Sequence, residues 1–118
     1  MHIMRVFLVI TALALTGCTK PSSDSSAISE TQSRQLQPAE PELAAIYARS
    51  CRSCHTIAAS GAPLTGDKAS WAPRMEKGMG VLLDSVVNGF GGMPPFGLCM
   101  DCNAQQFEAL IQFMASGK

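Results

Sequence analysis

The sequence predicts an all-α fold, built as one small domain of three to four short helices. Two observations lead there. Its 118 residues leave room for a single domain. Apolar residues recur at helical spacing in three segments, and no segment sustains the period-two alternation of a strand.

The elements follow in order. Pro41 suits the first turn of a helix, and Leu43, Ile46 and Tyr47 give an i, i+3, i+4 stripe, so a helix is expected to about Cys51. Gly61, Pro63 and Gly66 mark a loop over 58–66. Met79, Leu82, Leu83 and Val86 signal a middle helix, which Asn88-Gly89 stops. Residues 91–102 read as irregular, with Gly91-Gly92, Pro94-Pro95 and Gly97. A last helix carries Phe107, Leu110, Ile111 and Met114, with Asn103 as its cap and Gln106 three residues on. A domain of about 80 residues has a marginal core and often relies on a covalent or metal staple.

The first 40 residues read differently. Val6–Leu15 is an apolar run without charge behind Arg5. It is shorter than the roughly 20 residues a membrane-spanning helix needs, and it fits a signal-peptide core. Leu15-Thr16-Gly17-Cys18 resembles a bacterial lipoprotein signal, in which residues 1–17 are removed and Cys18 is lipidated. Residues 18–40, rich in serine and poor in apolar groups, are expected to form a flexible tether with a reach of roughly 25 Å. The folded domain is then 41–118.

Charge excludes one class of partner. Nine basic and nine acidic residues balance to zero, and removing Arg5 leaves eight against nine. No polyanion-binding face is expected, hence no nucleic acid. Removing the leader also takes His2, so His55 is the only histidine of the mature chain.

Five cysteines are present. Cys51-Arg52-Ser53-Cys54-His55 is the C-x-x-C-H signature of covalent haem attachment. Two thiols one helical turn apart can bond the two vinyl groups of one haem, and the next residue turns an imidazole towards the iron. A thioredoxin-like pair would need a βαβ context. A four-thiolate zinc site shared with Cys99 and Cys102 would need closer spacing than the 44 intervening residues. Asn103 follows Cys102, so no second haem attaches there. Cys99 and Cys102 read as a local disulfide, with a redox-active dithiol as the rival.

The iron needs a second axial ligand. With one histidine, bis-histidine ligation is impossible in one subunit, and a methionine thioether is the common alternative. Met79 and Met114 fall on apolar helix faces and read as core, Met75 as peripheral, and Met100 lies within the Cys99–Cys102 loop. Met93 stands off every stripe, in Gly91-Gly92-Met93-Pro94-Pro95, and is the candidate.

Together these residues resemble class I cytochromes c, and within them the cytochrome c5-like group. The resemblance spans 43–118. It rests on Tyr47, the Cys51–His55 motif, Gly61-Ala62-Pro63, Gly66-Asp67, Trp71, Arg74, Gly78-Met79, Asn88-Gly89, Met93-Pro94-Pro95 and the Cys99–Cys102 pair. It implies a small cytochrome c fold around one covalent haem c, His55/Met93 ligation of the iron and a Cys99–Cys102 disulfide. It also implies that the Pro63 carbonyl accepts a hydrogen bond from the His55 ring, and that Trp71 and Arg74 meet the haem propionates.

The expected function is single-electron transfer by a monomer that meets redox proteins transiently. Its expected place is the periplasmic side of a bacterial membrane, held by the lipid anchor, with the outer membrane preferred because Thr19 follows the lipid site. No base, nucleophile or substrate pocket is legible, so the chain reads as a carrier and not an enzyme. Two rivals stay open: an electron-entry subunit of a larger oxidase or reductase, and a haem-based sensor with an open sixth position.

Overall fold

A computed structural model describes residues 27–118. The expected leader, its cleavage site and Cys18 lie outside the described residues. Those described are helical, with no strand among them and one isolated bridge between Phe90 and Met93. We label the segments α1 (Glu30–Gln35), α2 (Pro41–Ile46), α3 (Arg52–His55), α4 (Lys68–Met75), α5 (Met79–Asn88) and α6 (Ala104–Ser116). Among the described residues no helix is long and apolar enough to cross a membrane.

α6 is the spine. The Asn103 side chain accepts from the Gln106 amide, and the Gln106 side chain accepts from the Asn103 amide, so a reciprocal cap fixes its start. Phe107, Leu110, Ile111, Phe113 and Met114 are buried along it. Tyr47 meets Phe113 edge-to-face at 5.1 Å, which locks the first helical rod onto α6. α4 and α5 pack on other parts of the same helix.

That first rod is continuous but not uniform. Between α2 and α3, Tyr47–Cys51 forms a π-helical turn. The helix expected to end near Cys51 therefore continues to His55. The wide turn admits one extra residue and changes which face the haem motif presents.

Two further differences have clear causes. α4 was invisible to periodicity because Pro73 reads as a breaker and only Trp71 and Met75 are large and apolar. The Asp67 side chain nevertheless caps the Ser70 amide, and the indole is buried. Met75 is consequently not peripheral but packs against the core.

The second difference concerns the tether. Residues 28–38 are not a free leash. Ser29 and Gln32 form a capping box that starts α1, Ser33 is fully buried, and Leu36 packs against the core. The composition is polar because the helix docks through hydrogen bonds and one leucine, not through an apolar stripe. Gly66 makes room for it. A Cβ there would lie 2.6 Å from Leu36 and 2.9 Å from Ile28, and its φ of +84° favours glycine in any case.

Candidate haem site

Three segments bring the predicted site residues to one cleft of about 510 Å3, within the range of roughly 300–1,000 Å3 typical of cofactor sites. α3 and the π turn supply Cys51, Cys54 and His55. The 61–67 loop and α4 supply Pro63, Trp71 and Arg74. The turn after α5 supplies Met93. Leu82 and Val86 of α5 and Ile111 and Met114 of α6 give the cleft its apolar lining.

His55 is held at both ends. Its Nδ1 lies 2.8 Å from the Pro63 carbonyl, and as a donor there it leaves Nε2 free to bind a metal. Its own carbonyl accepts from the Thr65 amide at 2.7 Å. Burial lowers its pKa and outweighs the Pro63 bond, which raises it, while nearby Arg74 lowers it further. The ring is thus kept neutral, the form that ligates.

All three carbonyls of residues 63–65 are engaged. The Pro63 carbonyl faces His55. The Leu64 carbonyl accepts from the Trp71 indole at 2.9 Å. The Thr65 carbonyl accepts from Ser33 at 2.9 Å, and the Thr65 hydroxyl accepts from Tyr47 at 2.9 Å. Trp71 therefore spends its one N–H on Leu64, so it offers the cleft a ring face, not a propionate donor. That face stacks on His55, with centroids 5.8 Å apart. Arg74 donates to the Ser70 carbonyl, and its guanidinium borders the cleft together with Lys77. Lys77 escaped the sequence reading because a lone exposed lysine carries no pattern.

Met93 sits in a tight turn. Phe90 and Met93 exchange backbone hydrogen bonds at 3.1 and 2.9 Å, with Gly91-Gly92 at the tip. Gly97 passes so close that a Cβ would lie 3.2 Å from the Met93 methyl. Downstream, Cys99 and Cys102 form a disulfide with Cα atoms 5.4 Å apart.

The donor set fits a covalent haem. Cys51 and Cys54 are free thiols bordering the cleft. Burial pushes the Cys51 pKa up to about 11, against the pull of nearby Arg49. A neutral imidazole and a thioether supply axial ligand types, and two cations suit carboxylates. The Ser50 hydroxyl lines the cleft, buried and without a protein partner, as expected where a bound group completes the site.

Residues 38–114 match the family model described as cytochrome c oxidase, cbb3-type, subunit III. The chain belongs to the class I c-type cytochromes. These carry covalent haem c with its iron. Cytochrome c5 of Azotobacter vinelandii is 35% identical over 72 residues, covering 59% of this chain and 87% of that one. Cytochrome c-555 of Chlorobaculum tepidum is 46% identical over 48 residues, covering 41% of this chain; the match spans 44% of that relative's length. Among solved structures, a chain of an electron-transfer complex of nitrite reductase with cytochrome c aligns with a TM-score of 0.58 and 32% identity, over 66% of this chain and 95% of that one. In this cytochrome α1 lies ahead of the matched span.

Proposed function

We propose that this cytochrome is a single-electron carrier whose iron is ligated by His55 and Met93. The observation that carries the reading is the convergence of Cys51, Cys54, His55 and Met93 on one cleft. When bound, haem c supplies a one-electron iron couple. The chain's part is to hold, orient and dehydrate it. Thioether bonds from Cys51 and Cys54 fix the ring, and Pro63 holds the imidazole plane. The apolar lining and the neutral His55 favour little rearrangement as charge changes. A thioether ligand favours the ferrous form and raises the potential relative to two imidazoles. Arg74 and Lys77 would meet the propionates.

An absorption spectrum of the oxidised holoprotein tests the ligation. A low-spin spectrum with the weak methionine-to-iron charge-transfer band is expected. A high-spin spectrum without that band would favour an open sixth position and a sensor.

The carrier reading includes its placement: removal of residues 1–17, lipidation of Cys18, and the Ser-rich segment ahead of Ala27 linking that anchor to the domain on the periplasmic face of a membrane. Mass spectrometry of the mature protein is expected to give one haem plus acyl chains on Cys18. An unmodified Cys18 would sink the anchor. Redox proteins are the expected partners, met transiently, as the nitrite reductase complex of the structural relative suggests. A second reading, an electron-entry subunit, is favoured by the oxidase-subunit description of the family model. Co-elution with an enzyme from solubilised membranes would select it.

A further inference from the structure

α1 touches the haem-attachment segment at three points. At its first turn, the Glu30 carboxylate accepts from the Ala58 amide at 2.6 Å. At its middle, the Ser33 hydroxyl reaches the Thr65 carbonyl at 2.9 Å and the His55 carbonyl at 3.3 Å. At its end, Arg52 donates to the Arg34 carbonyl at 2.7 Å, where a cation also favours the negative end of a helix. Glu30 and Arg34 pair with each other at 3.3 Å, so the two outer contacts share one helix turn.

Ser33 is the informative member. It is 0% exposed, although five of the six residues of α1 are not buried. A serine buried by docking, with its hydroxyl shared between two carbonyls, joins the two segments that orient the imidazole. One carbonyl belongs to His55 itself. The other belongs to Thr65, two residues beyond the Pro63 carbonyl that holds the ring. The Thr65 amide closes the circuit by donating back to His55.

We propose that α1 is a clasp on the proximal side of the haem, with Ser33 as a positioning residue for His55. It acts through the backbone: it holds the 63–65 loop at a fixed distance from the His55 carbonyl, and so keeps the His55–Pro63 hydrogen bond short. That bond makes the imidazole a stronger donor to iron, which favours the ferric form. The clasp rests on the reading of His55 as the iron ligand.

The test uses the full holoprotein with Ser33→Ala, Glu30→Gln and, as a stability control remote from His55, Asn103→Ala. Ser33→Ala is expected to speed hydrogen exchange at the Thr65 amide by roughly five- to tenfold. It should also move the iron-shifted ring signals of His55 and raise the midpoint potential. Glu30→Gln, on an exposed edge where folding is not at risk, should do the same to a smaller extent. Asn103→Ala should lower the melting temperature and leave the His55 signals and the potential in place. The clasp is overturned if neither α1 variant changes Thr65 exchange or the His55 signals, or if Asn103→Ala moves them equally. Absence of iron-shifted His55 signals in the unaltered protein would overturn the ligand reading instead, and Thr65 exchange would still decide the clasp.

Discussion

One guanidinium nitrogen of Arg49 lies 2.9 Å from each carboxylate oxygen of Asp101, across a sequence gap of 52 residues. The same nitrogen is 3.4 Å from the Cys99 sulfur. The pair ties the rod that carries the haem motif to the disulfide hairpin beyond Met93. The Arg49 hydrogen bond holds the Asp101 carboxyl below its ordinary value. With the folded pKa depressed, the pair's contribution is present above the unfolded carboxylate pKa and fades as pH falls through the folded value. Carboxyl NMR titration is expected to place Asp101 below a free aspartate, and Arg49→Gln to bring it back up. Both groups face water, so the effect on overall stability should be small.

The disulfide itself spans a sequence separation of three. A loop that short restricts the unfolded chain little, so Cys99→Ser with Cys102→Ser should cost about 2 kcal/mol in the loop-closure account. Urea unfolding of the double variant measures it. A loss several times larger would mean the bridge supports native packing.

Met93→Ala should abolish the low-spin charge-transfer band while the haem stays covalently bound through Cys51 and Cys54. A spectrum identical to the unaltered protein would assign the sixth position to another residue.

Gly89 has a φ of +80° and a ψ of 159°, a region close to glycine-only. A Cβ there would lie 2.8 Å from the Met93 carbonyl. Gly89→Ala should therefore cost roughly 1–3 kcal/mol in backbone strain alone. It should also weaken the Met93 band, because relief of the clash moves that turn. An unchanged band would separate the turn's strain from the ligand's placement.

Burial raises the Tyr47 pKa above 10.0, although the Thr65 hydrogen bond works the other way. A raised folded pKa means stability is full below the unfolded value and falls as pH rises from there to the folded value. Tyr47→Phe should remove that alkaline slope. It should also cost about 1–3 kcal/mol at neutral pH, because the Thr65 hydroxyl stays buried without its donor. Denaturant unfolding at neutral and alkaline pH reads both.

The parts of this molecule governed by local spacing were legible in the chain. Phe107, Leu110, Ile111 and Met114 wrote α6 plainly, and Asn103 with Gln106 wrote its cap. The Cys51–His55 motif located the cleft, because covalent haem attachment demands those residue types in that order. What escaped depends on partners distant in sequence. Ser33 looked like tether because its value lies in the carbonyls of His55 and Thr65. Trp71 looked free to donate because nothing local names Leu64 as its acceptor. α4 hid behind Pro73.

The π turn at Tyr47–Cys51 acts as a phase shifter. An unbroken α-helix advances about 100° per residue, so one residue accommodated in a wide turn rotates everything after it by that amount. Leu43, Ile46 and Tyr47 keep their grip on the core, while Ser50, Cys51, Cys54 and His55 all reach the cleft. Straightened to an unbroken α-helix, the same chain would keep that grip but carry its thiols and imidazole about 100° away from their present direction.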